Sequence, residues 1–584
     1  MSKLSANSIF KSMLIALLFL LALNSPKFLG LDHSPPGFYG DEVAGATQTL
    51  CLLEDAHDFQ GNMLPLFAEG FPGAGQYTPV YLYGELVWVK IFGSSKAGFR
   101  SFLGLVTCLT ILFLYLWTKN KGGSQLAFYV ALAASIMPWA FQFSRIAWDP
   151  PLAVLFLIMA LWGTSLRSRY SWLSSIFLAL AAYSYPPMRI AAPLFLLIIP
   201  GIRWKYKFFV ILGAGVLCVP LLLKMQDPEF LARSRALAIW TYFNFNPYEN
   251  LGLLATPALF AKQLISYFTP DFIFIHGDRN LRHSIQSFGM LSWLDLSALI
   301  ALIFLFIRKI LNKSEVIFSN NQRQVLQIAF IGILAGMAPA ALTHTSAIPN
   351  ALRAIGAWPF FALLTGLILS RTAETLKGRI FPIFTLSIGL GFFALYLSSY
   401  FGTYPIISKN EFLSSDSKIE SAYRKMSVEG ESCENLRVKS APLFVGQEIF
   451  FSYGHPINGI AFLRSHWLEV ESWGIWTNDK GSDLLLPLPI DASKEIIFKV
   501  RGLVTGAHPQ AIVDVWVNGK FNKRVTITKF EDNYIDVAIP KNLQYPDKIW
   551  IEFRNINPTT PVAAGIPGND LRITGLGLIS ATFK

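Results

Sequence analysis

The sequence predicts a multi-pass α-helical membrane protein with a C-terminal all-β domain, and three observations support this. Hydrophobic residues make up 53% of the 584 residues and charged residues only 15%, against about 25% charged residues in soluble domains. Apolar segments of bilayer-spanning length recur as far as residue 400. The remaining residues instead alternate apolar and polar side chains, the period of a strand. A soluble enzyme is therefore not expected.

The apolar segments predict eleven spans. They lie at 12–29, 101–118, 124–141, 150–166, 171–186, 189–202, 207–224, 289–308, 325–342, 354–370 and 379–400. The segment 79–92 is apolar but too short to span, so it predicts a helix lying on the membrane surface.

Basic residues set the orientation of these spans. The runs at 119–121, 167–169, 203–207 and 308–309 share one side when the spans alternate, and positive residues gather on the cytoplasmic side. The N-terminus is then inside, and an odd number of spans places the C-terminus outside. These runs hold much of the net charge of +12, and no basic stripe with interleaved aromatics predicts nucleic-acid binding.

The predicted organisation is a transmembrane domain at 1–403 and an outer β domain at 404–584. Alternating segments at 495–500, 511–517 and 548–553 predict strands. The pair Asn518-Gly519 predicts a tight hairpin turn, and a β-sandwich is the expected architecture. The outer tail has no Asn-x-Ser/Thr sequon without proline, which favours a bacterial inner membrane with the tail in the periplasm.

The four cysteines show neither a CxxC pair nor zinc-ligand spacing. Cys108 and Cys218 lie inside apolar segments and are interpreted as packing residues. Cys51 and Cys433 both fall on the predicted outer side, where a disulfide could join them.

Polar residues collect in five groups on the predicted outer side. The groups are 39–42, 144–151, 183–189, 277–284 and 344–353. Ionisable residues held against a bilayer are costly, so such a collection predicts a functional site. Adjacent Asp41 and Glu42 point in different directions and should have separate roles, one contacting substrate and one orienting it or holding a neighbouring helix. A solvated pair of loop acids is the alternative.

The second group holds an acid at a predicted helix start. Asp149 precedes Pro150-Pro151, which can open a helix, so its simplest role is capping; this does not exclude a second role. The other groups supply cations at the same face: Arg189, Arg282, His283, His344 and Arg353. A single Arg at a helix end is usually an interface anchor. Five cations facing acids predict a lipid phosphate as substrate instead.

These motifs resemble those of the GT-C glycosyltransferases, in particular the dolichyl-phosphate-mannose protein mannosyltransferase family and its bacterial relatives that use undecaprenyl-phosphate sugars. The resemblance rests on 40–42, Ser144-Arg145 with Asp149, 277–283 and 348–353, and it covers about residues 10–400. It implies transfer of a monosaccharide from a polyprenyl-phosphate donor, with inversion, to a hydroxyl of a glycan, lipid or protein acceptor. A metal would have little or no part in it.

The resemblance also implies roles for individual residues. Asp41 would be the general base, Glu42 would order the loop or bind acceptor, and Asp149 would lie near the donor sugar; these are the predicted catalytic acids. The predicted contacts of the donor phosphate are Arg353, Arg282, His283 and Arg189, and the predicted substrate-binding residues are Arg145, Tyr185, Asp278 and His344. No residue is assigned to a metal, and a divalent cation as cofactor stays open.

The tail is similar to C-terminal β-sandwich modules of bacterial membrane glycosyltransferases. Trp467, Trp473 and Trp476, expected to be exposed, could stack on a sugar ring, although filling the sandwich core is the commoner role. Two other functions compete with the transferase. A lipid-linked-sugar flippase would share the phosphate site, but it usually shows repeated halves and polar groups at mid-bilayer. A non-catalytic glycan-binding protein would leave Asp41 and Asp149 without a purpose.

Overall fold

The computed structural model describes residues 18–584 with internal gaps. The gaps are 70–75, 167–169, 226–229, 231–238, 240–251, 314–315, 344–347, 413–422, 428–429, 437–442, 453–454, 456, 458, 465–466, 479–480, 490–492, 541–547, 568–569 and 571. The chain forms two compact units: the helical unit, Met1–Glu69 with Gln76–Arg437, and the β unit, Gly70–Gly75 with Val438–Lys584. The segment 404–437 thus packs with the helices, whereas the predicted division lies at 403/404.

The described helices of the helical unit are numbered in chain order. They are α1 Gly40–Asp55, α2 Pro79–Phe92, α3 Lys96–Ile136, α4 Pro138–Phe143, α5 Pro150–Gly163, α6 Ser171–Ser184, α7 Met188–Ile198, α8 Trp204–Leu217, α9 Val219–Lys224, α10 Gly252–Ser266, α11 Trp293–Leu311, α12 Asn320–Ala341, α13 Trp358–Leu376, α14 Ile380–Phe401, α15 Tyr404–Ile407 and α16 Cys433–Leu436.

Four described helical segments are long and apolar enough to cross a membrane. They are Lys96–Ile136, Asn320–Ala341, Ile355–Leu376 and Ile380–Ile407. Helix α3 is broken at Gly123, whose φ of 83° and ψ of −179° are not helical, so the predicted break between 118 and 124 is confirmed. The first predicted span begins outside the described residues, and the count of eleven stays a prediction.

Small residues allow the long helices to pack closely, as is usual between membrane helices. A Cβ added to Gly366 of α13 would lie 2.5 Å from the backbone nitrogen of Val130 in α3. A Cβ at Gly336 of α12 would lie 2.4 Å from the nitrogen of Ala357. Helix α13 therefore meets α3 at backbone distance, and helix α12 meets the 355–357 turn at backbone distance.

Two helices lie where the sequence predicted outer loops. Helix α10 interrupts the stretch 225–288, and α1 follows the first predicted span. Acidic residues in the first turn of α1, Asp41 and Glu42, were the available signal for that helix, whereas its Gly and Thr residues weakened the apolar pattern. The segment 79–92 forms a helix, α2, and its position on the membrane surface stays a prediction. A disulfide joins Cys51 of α1 to Cys433 of α16.

The β unit contains two antiparallel sheets. Its strands are β3 Glu448–Phe450, β4 Trp467–Glu471, β5 Gly474–Thr477, β6 Ser482–Pro487, β7 Glu495–Gly502, β8 Ala511–Val517, β9 Lys520–Ile527, β10 Asn533–Ala538, β11 Lys548–Asn555 and β12 Leu576–Phe583; β1 Ala68–Glu69 and β2 Gln76–Tyr77 belong to the helical unit. One sheet has the order β10-β7-β12-β5-β4 with β3 on β12, and the other β6-β11-β8-β9. The three predicted strands are confirmed.

The two sheets enclose one apolar core. Alternate residues of β7, Ile496, Phe498 and Val500, are buried, and the ring of Phe498 meets that of Phe553 from the other sheet at 5.3 Å. The predicted turn is confirmed, since Asn518 and Gly519 have φ of 49° and 75°, the left-handed region of a tight hairpin. The described residues beyond 442 therefore form a β-sandwich.

The tryptophans of this unit are less exposed than expected. Trp476 is buried at 8% exposure, and Trp467 and Trp473 are half-buried. The indole N–H of Trp467 donates to the carbonyl of Asp483 at 2.7 Å, and that of Trp473 donates to Glu471 at 2.8 Å. The expectation of three exposed tryptophans was wrong, because all three indoles contact neighbouring residues of the same unit.

Candidate active site

The ring of Tyr39 joins three of the five polar groups. It precedes α1 directly, and the guanidinium of Arg282 lies over it at 4.1 Å. The ring of Trp148 meets it edge-on at 5.9 Å, and the ring of His283 lies 5.7 Å from that of Trp148. The groups at 39–42, 144–151 and 277–284 are therefore in contact, although up to about 240 residues separate them.

Glu42 is the buried centre of this arrangement. Its carboxylate accepts two hydrogen bonds from Arg100, both of 2.8 Å, with both side chains fully buried. It also accepts the backbone N–H of Ala147 at 2.9 Å and that of Tyr39 at 3.1 Å. Glu42 thus ties the start of α1 to α3 and to the turn that carries Asp149.

Asp41 occupies the neighbouring position in the first turn of α1. Successive helix positions are about 100° apart, so its side chain leaves the helix on a different side from Glu42. Asp41 is half-buried, in contrast to the fully buried Glu42.

Asp278 and His283 form a buried pair. The imidazole Nδ1 of His283 lies 2.8 Å from the Asp278 carboxylate, and their side chains are 6% and 0% exposed. The same carboxylate oxygen accepts the backbone N–H of Ala351 at 2.7 Å, which brings in the fifth polar group. With Nδ1–H held by Asp278, the ring presents Nε2 on its opposite edge.

The other two described cations of the prediction, Arg353 and Arg189, lie on the segments 348–353 and 183–189. The backbone N–H of Arg353 donates to Asn350, and its guanidinium donates to the hydroxyl of Thr343, both at 2.9 Å. Arg189 interacts electrostatically with Asp149, which connects the third group to the second. Tyr185 is half-buried in the turn before α7, and His344 lies outside the described residues.

Arg145 is fully buried and contacts the backbone of the first outer loop. Its guanidinium donates to the carbonyls of Pro26 and Ser34 at 2.6 Å and of Leu29 at 2.7 Å. The ring of Phe401 lies 4.9 Å from it. These contacts hold the loop that leads into α1, so Arg145 has the surroundings of a positioning residue.

Sequence reasoning missed a second buried network beside Glu42. The hydroxyl of Tyr81 lies 2.8 Å from the carbonyl of Ala147 and 2.6 Å from the carboxyl of Glu85, and Thr49 donates to Glu85 at 2.9 Å. Arg100, which pairs with Glu42, was also missed. Charged residues near the ends of apolar segments were the available signal, but nothing in sequence spacing pairs them.

Burial favours the neutral form of Glu85. Tyr81 donates to one oxygen of its carboxyl at 2.6 Å and Thr49 donates to the other at 2.9 Å. Burial outweighs both of these donors and raises the pKa of Glu85 to about 8.

Glu85→Gln is expected to stabilise the protein increasingly as the pH rises. Because the folded pKa lies above the ordinary value of 4.5, the folded protein binds the proton more tightly than the unfolded chain. The contribution of this proton to the free energy of unfolding is fully present below pH 4.5 and is lost as the pH rises through about 8. Gln keeps the geometry of the neutral acid without titrating.

The measurement is the Tm of the detergent-solubilised variant against wild type between pH 4.5 and 8.5. The Tm advantage should be smallest at pH 4.5 and reach several degrees near pH 8, while Glu434→Gln, at an exposed position, should show none. A Tm difference independent of pH would contradict a neutral Glu85.

Comparisons with known proteins give distant structural likenesses. No family model matches the chain, and no curated protein sequence matches it. It is similar to the apo oligosaccharyltransferase of Archaeoglobus fulgidus, with a TM-score of 0.41 and 14% identity over 72% of this chain and 59% of that one.

Two further solved structures are of ArnT from Cupriavidus metallidurans. The apo state gives a TM-score of 0.40 and 13% identity over 72% of this chain and 69% of that one. The state bound to undecaprenyl phosphate gives a TM-score of 0.38 and 11% identity over 76% of this chain and 83% of that one. These scores and identities are too low to define a family.

Proposed function

We propose that this protein is a membrane glycosyltransferase of the GT-C type that transfers a monosaccharide from a polyprenyl-phosphate donor to an acceptor hydroxyl. The observation that carries the proposal is the meeting of acids and cations from distant segments around Tyr39 and the Asp278–His283 pair. These are the segments on which the resemblance to GT-C enzymes rests. We place the site on the periplasmic face of a bacterial inner membrane, as the basic runs predict.

The reaction needs a base on one side of the sugar and cations on the other. Asp41 takes the proton of the acceptor hydroxyl, and the acceptor oxygen forms a bond to the anomeric carbon. The bond from that carbon to the phosphate oxygen breaks, and the polyprenyl phosphate leaves with the electron pair. Attack opposite the leaving group inverts the anomeric centre.

Cations stabilise the charge that develops on the leaving phosphate. The side chain of Arg282 is 21% exposed, and the stacking of its guanidinium on Tyr39 holds it beside the start of α1. His283 in its protonated form would donate Nε2–H to a phosphate oxygen, with Asp278 orienting the ring. Arg353 lies two residues after Ala351, which donates to Asp278, and Arg189 lies near Asp149; both are assigned to the donor phosphate. Glu42, Arg100 and Arg145 position these groups.

The experiment that tests the proposal is transfer of radiolabelled sugar in proteoliposomes. The purified protein is given a panel of undecaprenyl-phosphate sugars with delipidated cell envelope as acceptor. Label is expected to move from the lipid fraction to the acceptor with at least one donor. If the protein binds the donors but label stays in the lipid fraction with every member of the panel, the transferase proposal is wrong.

His283→Gln is expected to raise the KM for the lipid donor by about tenfold or more. A hydrogen bond to a charged group contributes about 1.5–3 kcal/mol, and Gln cannot carry the positive charge. The matched control is His276→Gln, since His276 is an exposed histidine of the same loop paired with Asp271. Equal donor KM in the two variants would contradict phosphate binding by His283.

A further inference from the structure

The β unit contains a pocket of about 260 Å³ at the end of strands β4, β5 and β7. This is slightly below the roughly 300–1,000 Å³ of sites for drug-sized ligands, and it suits a single small ring. Its wall combines aromatic side chains with a row of charged groups. All of its lining residues belong to the β unit, whereas the residues of the candidate active site belong to the helical unit.

Two aromatic side chains form the apolar part of the pocket. Phe530 lines the pocket and is 40% exposed; the guanidinium of Arg501, paired with Glu531, lies over its ring at 5.8 Å. Trp476 also lines the pocket and is only 8% exposed, and its indole N–H has no acceptor in the described part of the chain. An accessible aromatic ring and an indole N–H without an acceptor suit a ligand with one apolar face and hydroxyl groups at its edge.

The polar part is a fixed row of three side chains. The guanidinium of Arg572 donates to Asp570 on one side, at 2.6 Å, and to Glu471 on the other, at 3.2 Å. Glu471 is also held by the indole N–H of Trp473 at 2.8 Å. Each group holds its neighbour in place, yet the side chains stay 32–44% exposed, so N–H donors and carboxylate lone pairs are left for a ligand.

We infer that this pocket binds an uncharged sugar ring. The C–H face of a pyranose would pack on Phe530, and its hydroxyls would meet the planar carboxylate and guanidinium groups, which accept and donate in pairs. Two carboxylates against one guanidinium leave a net charge of −1, which disfavours anionic sugars. The inference goes beyond the proposed transfer reaction, because it concerns binding in the β unit.

The test is saturation-transfer NMR on the full-length protein in nanodiscs, without any lipid donor. The probes are the methyl glycosides of glucose, mannose, galactose and N-acetylglucosamine, with glucuronate as the anionic comparison. At least one uncharged glycoside should receive saturation at its C–H protons. Phe530→Ala should weaken its binding about fivefold to tenfold, as should Arg572→Gln.

Phe521→Ala is the matched control, because Phe521 is also exposed, at 54%, and does not line the pocket. It should bind as wild type does. The inference is overturned if no uncharged glycoside binds, if Phe530→Ala and Phe521→Ala bind alike, or if glucuronate binds more tightly. Asp41→Asn should bind the glycoside normally, so failure of the transfer proposal and failure of this one are distinguishable.

Discussion

Asp41→Asn is expected to lower kcat for sugar transfer by about 10²–10⁴-fold, the range that general-base catalysis contributes. Asn has almost the same size but cannot accept the proton of the acceptor hydroxyl. Donor binding should persist, since the phosphate contacts are assigned to other residues. The measurement is kcat and donor KM for wild type and variant at equal protein concentration, across pH 5–9.

Two comparisons make this result specific to the base. Asp55→Asn, at the opposite end of α1, should keep wild-type kcat. Asp41→Glu should recover part of the activity, because it restores a carboxylate at an imperfect distance. If Asp41→Asn transfers sugar at more than a tenth of the wild-type rate, another group takes the proton and the assignment is wrong.

Arg100→Leu is expected to destabilise the helical unit by about 3–5 kcal/mol, the cost of breaking a buried ion pair from one side. The change leaves the Glu42 carboxylate fully buried without its bidentate partner. Transfer activity should fall with stability, since Glu42 also holds the N–H of Ala147 before Asp149. Thermal unfolding in detergent, with transfer measured well below Tm, separates the two effects.

The double variant Arg100→Leu with Glu42→Gln is the matched comparison. Removing both charges removes the unpaired buried carboxylate, so a large part of the lost stability should return. The free energy of unfolding of Arg100→Lys should lie between those of wild type and Arg100→Leu, because a lysine keeps the charge but not the two parallel N–H donors. Equal stability of the single and double variants would contradict a buried ion pair at this position.

The architecture could be predicted from the long apolar segments and from the strict alternation of apolar and polar residues in the C-terminal part. The break at Gly123, the helix α2, the strands β7, β8 and β11, and the hairpin at Asn518-Gly519 all follow from local patterns, and all are present. Helices α1 and α10 were missed because their apolar residues are mixed with Gly, Thr and Pro, which weaken a helical signal.

The candidate site could be predicted only in part from the sequence, because its hydrogen bonds join segments that are far apart in the chain. Sequence reasoning could expect separate roles for Asp41 and Glu42 from the helix or strand geometry alone. It could not pair Glu42 with Arg100 or Glu85 with Tyr81, since such pairs depend on how helices pack. For the same reason it could not see that Arg145 donates to three backbone carbonyls of its own unit.

The fate of the donor's phosphate tests the central claim most directly. A transferase breaks the bond between sugar and phosphate, whereas a flippase moves the same lipid intact and a glycan-binding protein leaves it unchanged. ³¹P NMR of proteoliposomes holding an undecaprenyl-phosphate sugar that the protein binds, with cell-envelope acceptor, distinguishes these cases. If the protein is a transferase, the phosphodiester signal is replaced by a phosphomonoester signal as sugar reaches the acceptor. A phosphodiester that persists while the lipid changes leaflet would contradict the transferase proposal.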